Sequence, residues 1–145
     1  MALFAMNNLT PSIGTAKTSD TWTYAVLGEG IDNITEALNE VVQQYFFLND
    51  GGFATNHVAG MAPAFTFTGR RVVGDAAQDY IFGKKYALDM ERDSSFKLTY
   101  TDAEGQAVAI ECACTICNIV EWAGASTDDS AISFEIRFNG QPTVS

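Results

Sequence analysis

The chain has 145 residues, 47% of them hydrophobic, with ten Phe, five Tyr and two Trp, so it is long enough to bury one core and too apolar to stay disordered. Its 18 Asp and Glu against 8 Lys and Arg give a formal charge of −10, and a surface that acidic repels nucleic acid rather than gripping it. Apolar runs fall far short of the roughly 20 residues needed to cross a bilayer, and MALFAMNNLT lacks a basic n-region and a proper h-region, so neither secretion nor membrane insertion is expected.

Residues 1–20 read as an N-terminal arm: apolar anchors Leu3, Phe4 and Met6, then a stretch rich in Ser, Thr and turn residues. Trp22, Tyr24 and Val26 alternate with Thr21, Thr23 and Ala25, the period of a half-buried strand with Trp22 in the core. EALNEVVQQYFFLN fits an amphipathic helix or a strand; its β-branched and aromatic residues, followed by Asn49-Asp50-Gly51-Gly52, favour a strand over 41–48. Residues 49–63 show no period and read as a 15-residue loop carrying Phe53, His57, Val58 and Met61. Loops of that length inside a compact domain are usually functional or disordered. Apolar side chains on such a loop and on the arm suit reception by another copy of the protein, although both segments could equally fold back on their own domain.

Phe65 and Phe67 alternate with Thr66 and Thr68, and a short helix follows over 76–82. Asp75 is placed to N-cap it, Gln78 to return a hydrogen bond in a capping box, and Gly83 to end it as a C′ glycine. About two turns are marginal alone, so Ala77, Tyr80 and Ile81 must pack on a sheet. Arg70 and Arg71 should point to opposite faces of a strand, which disfavours a phosphate grip and favours pairing with the acids of 75–93 across a subunit contact. Phe96, Leu98 and Tyr100 share a face, Asp102–Gly105 turns, and 106–119 puts Val108, Ile110, Cys112, Cys114 and Ile116 on one side, which makes a hairpin. Ile132, Phe134, Ile136 and Phe138 alternate with Ser133, Glu135 and Arg137 in a last strand wet on one face.

Chemistry is absent from this pattern. No phosphate-binding loop, nucleophile elbow or H-E-x-x-H occurs, and His57 is the sole imidazole. Asp75 and Asp79 are better explained by a cap and a solvated face than by acid–base work. Cys112, Cys114 and Cys117 supply three thiolates where a closed zinc site needs four ligands, and in a strand Cys117 faces away from the other two. Buried free thiols, with no metal or cofactor, are expected. Six of the eight basic residues lie in 70–97, a segment of net charge +1, which leaves −11 for the remainder.

The block Phe67-Thr68-Gly69-Arg70-Arg71, Gly74-Asp75, Ala77-Gln78-Asp79-Tyr80-Ile81 resembles the strand-to-helix junction of bacteriophage major tail tube proteins, and the order of elements over roughly 22–138 matches as well. The resemblance implies a mainly β fold, a β-sandwich or barrel-like domain over 21–140 with one packed helix, flanked by the arm and a C-terminal tail at 141–145. It also implies hexameric rings whose sheets join into a continuous barrel, stacked into a conduit for DNA ejection without catalysis. The strands at 41–48 and 64–71 would form the barrel wall, the 49–63 loop and the arm would join rings, and the helix would lie outside. Gln43, Gln44, Thr66 and Thr68 would be candidates for a wet or lumen face. Expected partners are the protein itself, tape measure, tail terminator and baseplate proteins, with DNA passing unbound and no membrane involved. The setting would be a virion tail assembled in the bacterial host cytoplasm. Two other classes compete: a small β-sandwich binding module, which needs an exposed aromatic platform, and an acidic β-fold enzyme, which needs a convergent catalytic set.

Overall fold

A computed structural model describes residues 2–145; Met1, the first residue of the expected arm, lies outside the described residues. Ten strands and one helix follow in chain order: β1 (Thr10–Thr18), β2 (Thr21–Val26), β3 (Ile31–Ala37), β4 (Val41–Tyr45), β5 (Thr55–Gly60), β6 (Ala64–Arg70), α1 (Ala76–Gly83), β7 (Asp93–Thr101), β8 (Ala107–Val120), β9 (Ala131–Phe138) and β10 (Thr143–Val144). Eight strands make one antiparallel sheet in the order β2-β1-β7-β8-β9-β6-β3, with β10 beside β8, and β4 and β5 pair separately.

The chain forces this sheet to roll up. Laid flat, its edge strands β2 and β3 would stand about 29 Å apart, yet Val26 and Ile31 are joined by a link that spans at most roughly 19 Å. The sheet therefore curls until its edges approach without pairing, leaving a cleft of about 510 Å³ lined by Leu9, Pro11, Val26, Leu27, Ile31 and Ile34 among others. The two layers expected of a sandwich are the two halves of this one curled sheet. Inside it Phe67 stacks on Phe134 at 5.1 Å, with Phe65 and Phe96 beside Phe67 and its neighbours, and α1 closes the core with Ala77, Ile81 and Phe82.

Several strands obey the sequence pattern closely. Cys112, Cys114 and Ile116 of β8 are buried, as are Phe96 and Leu98 of β7 and Ile132, Phe134 and Ile136 of β9. The turn between β7 and β8 is held by the Asp102 carboxylate, which accepts from the Glu104 and Gln106 amides.

Elsewhere the structure corrects the pattern. The arm ends at Leu9, because residues 10–18 are a strand paired on both sides; Pro11 sits before the β2 ladder begins at Ser12, so its missing N–H breaks no bond there. Trp22 is not in the core. Ala25 and Leu27 supply the apolar contact from this stretch, while the Trp22 ring crosses Gly14 on the other face, where a Cβ would stand 2.6 Å from it. β3 went unread because a bulge between Ile31 and Asn33 shifts its two apolar residues, Ile31 and Ile34, three apart. The expected loop at 49–63 is half strand: β5 has no buried face, so it leaves no period-two mark. Residues 141–145 are not a loose tail, since Thr143 and Val144 pair with Glu111 and Ile110.

A candidate assembly surface

The strand-to-helix junction is a built structural joint. Gly69 passes so close to β3 that a Cβ there would lie 2.0 Å from the Gly30 carbonyl oxygen. Asp75 caps α1 by accepting from the Gln78 amide at 3.1 Å, but the capping box is incomplete. The Gln78 side chain turns into the core instead. Its Nε2 donates to the Glu29 and Arg70 carbonyls at 2.8 and 3.1 Å, and its Oε1 accepts from the Val72 amide at 2.8 Å. Gly83 closes the helix without a left-handed φ, and Lys84 takes the C-cap place. Gly74 does adopt a positive φ of 96° and donates to Asp79. Tyr80 is half-buried against the core, with the Lys84 ammonium 5.6 Å over its ring.

Arg71 pairs within its own chain rather than across a subunit contact. Its guanidinium donates to Glu121 and Asp79, both at 2.9 Å, and lies 4.9 Å over the Phe82 ring. Desolvation pulls its pKa down, but the two carboxylates outweigh that and hold it above the ordinary value. Glu121 also takes Lys85 at 2.6 Å; desolvation raises its pKa, and the bonds from Lys85 and Arg71 bring it below the usual carboxylate range. Arg70, on the exposed side, donates to the Asp129 carbonyl at 3.1 Å.

This joint ties together segments 70–75, 84–92 and 120–130, and each presents large apolar side chains to solvent. Val73, Tyr86, Leu88, Met90 and Trp122 are 70–86% exposed. The Lys85 ammonium sits 3.3 Å over the Trp122 ring and 5.1 Å over the Tyr86 ring. Arg92 fixes the loop by donating to the carbonyls of Lys85, Ala87 and Ile116. Sequence reasoning missed this patch; the available signal was large apolar residues in an unpatterned segment between a helix and a strand.

A second apolar surface lies at the other end of β6. β3 and β6 pair as far as Ala37 opposite Ala64; the Ala62 amide donates to the Leu38 carbonyl, and β4 and β5 then carry the ladder onward as a hairpin off the main sheet. It rests on no core: Val41, Val42, Phe46, Phe47, Phe53, Val58 and Met61 are each at least half exposed. A lone two-stranded hairpin is marginal in water, and an exposed apolar patch of this kind marks an interaction site. Of the residues singled out from sequence, Phe53, His57, Val58, Met61, Gln43 and Gln44 all fall on this hairpin, where Gln43 faces His57 and Gln44 donates to Asn56 at 3.2 Å. β4 is therefore not part of the main wall, whereas β6 is. Leu3 and Phe4 lie apart on the arm, Leu3 exposed and Phe4 edge-on to Tyr100 at 5.8 Å.

Thr66 and Thr68 belong to a third surface, the outer face of the curled sheet. In register with them run Thr35 and Asn33 on one side and Glu135 and Ser133 on the other, then Cys117 and Val120 on β8; the same face continues through Arg137 to Thr115 and Asp93, and through Glu111 to Lys97. The face is built largely from hydroxyl and other small side chains. Among the described residues no cluster of His, Cys, Asp or Glu is placed to hold a metal ion, and no helix is long and apolar enough to cross a membrane.

No protein-family model and no curated protein sequence matches the chain. Solved structures do match it in fold. A chain from the tail of an empty gene transfer agent particle, refined with helical C6 symmetry, superposes with a TM-score of 0.74 over 99% of both chains at 10% identity. A chain of an extracellular contractile injection system sheath-tube complex gives 0.62 at 7% identity over 99% of this chain and 91% of its own. One from the tube-terminating cap of the anti-feeding prophage gives 0.61 at 10% identity, covering 100% and 92%. The fold is thus the one found in the tails and tubes of phage-like particles.

Proposed function

We propose that this chain is the repeating subunit of a tail tube, a structural protein without catalytic function that belongs to the tail tube family. The observation that carries the reading is the projecting hairpin: an apolar element without a core of its own, on a domain whose entire length follows the fold of tail and tube chains. Subunits would close into six-fold rings by pairing the free edges of β2 and β3 between neighbours, which removes exposed edges that a lone domain leaves open. The hairpin, with Phe53, His57, Val58 and Met61, and the arm, with Leu3 and Phe4, would join successive rings.

The inner face of the sheet is core, which supports a lumen lined by the outer face, and Thr66 and Thr68 would be among the lining groups. Asp93, Glu111 and Glu135 against Lys17, Arg70, Lys97 and Arg137 leave that face close to charge balance, with Arg137 paired to Glu135, so it offers DNA no dense run of cations to bind. The conduit would release DNA during ejection without holding it. In the virion tail its partners would be tape measure, terminator and baseplate proteins, and assembly would take place in the host cytoplasm. Sedimentation velocity on the purified protein tests the reading: fast, concentration-dependent boundaries from rings and tubes are expected, and a single monomer boundary at high concentration would contradict it.

A further inference from the structure

We infer that the exposed patch formed by Val73, Tyr86, Leu88, Met90 and Trp122 is the receptor on which the β4–β5 hairpin of a second copy docks. The inference rests on the tube reading and deepens it by naming the surface that receives the hairpin. Four observations carry it. The hairpin leaves β6 at Ala64, whereas Arg70 and the joint that supports the patch stand at the other end of the same strand, with Arg71 bonded to Glu121 beside Trp122. A contact between opposite ends of one molecule is heterologous, and where its rotation does not close it repeats into a filament.

The areas also agree. Five side chains 70–86% exposed offer on the order of 800 Å² of surface, about what one partner contributes to a stable interface. The patch is rigid before docking, because Arg71, Lys85 and Arg92 fix all three segments, and only the hairpin has to be ordered. Charge is compatible. The hairpin segment 40–60 has two acids, Glu40 and Asp50, and no Lys or Arg, while Arg70 and Lys84 beside the patch make no salt bridge among the described residues. Asp89 and Glu91 share the loop, so the contact is chiefly apolar.

Cysteine cross-linking tests this on the full chain in a Cys117→Ser background, since Cys112 and Cys114 are buried. Phe53→Cys and Trp122→Cys are prepared separately, mixed and oxidised. Disulfide-linked dimers are expected in the mixture, a ladder of higher species in the double variant, and neither from either variant alone. A second variant, Trp122→Glu, is expected to stay folded by circular dichroism and to raise the concentration needed for polymerisation at least tenfold. If wild-type protein forms tubes while Trp122→Glu polymerises normally and the mixture does not cross-link, the patch is not the receptor, the tube reading stands, and the patch is left for a different protein on the outside. If wild-type protein forms neither rings nor tubes, both readings fall.

Discussion

Gln78 and Glu121 show how much of the joint depends on single polar groups. Gln78 is fully buried and bonds two carbonyls and one amide of neighbouring segments, so Gln78→Ala should cost about 2–4 kcal/mol through the groups it orphans, read as a shift in urea midpoint. Gly69→Ala should cost about 3 kcal/mol or more, because the new methyl meets backbone that cannot move aside. For Glu121 the sign follows from its lowered pKa: its stabilisation is complete above the ordinary carboxylate value, near about pH 4, and is lost as pH falls through the lower folded value. The stability of Glu121→Gln should therefore fall less than that of wild type between neutral pH and about pH 3; equal acid sensitivity would show that Arg71 and Lys85 do not depend on its charge. The thiol of Cys114, pushed up to about 12 by burial and its neighbours, should resist labelling in the folded protein and react only on unfolding.

At the scale of elements, one-face-wet strands were the part written plainly in the sequence. In β9 the exchange Phe134→Ala or Ile136→Ala should cost roughly 2–5 kcal/mol, and Arg137→Ala well under about 1 kcal/mol, because only the former empty core volume. Equal effects in a denaturant melt would contradict the observed register. The helix and the β7–β8 hairpin were legible for the same reason: capping, turn chemistry and a buried face all pointed one way. What stayed hidden had lost its period for physical causes. β1 carries Pro11 and Gly14 and a bulge before Ala16, β3 carries a bulge at Asp32, and β5 buries nothing. The role of Arg71 was hidden differently, since Glu121 lies 50 residues away and nothing local announces it. Because β4 and β5 touch no core, replacing residues 41–60 by a two-residue turn should leave the thermal midpoint nearly unchanged while abolishing tubes; a collapse of the fold in circular dichroism would show that the hairpin supports the domain.

At the scale of the whole molecule, the curled sheet, its two unpaired edges and its two apolar ends are surfaces that one copy cannot satisfy by itself. Formal charge of −10 keeps such a chain apart in dilute solution, so raising the salt should promote assembly by screening the repulsion between copies. The central claim is that copies of this chain alone build a hollow tube, and electron cryo-microscopy of the polymerised protein tests it most directly. Stacked six-fold rings around an open channel faced by Thr66 and Thr68 are expected, with each hairpin seated on the next ring. Solid fibres, closed dimers or a channel lined mainly by Lys and Arg would contradict it.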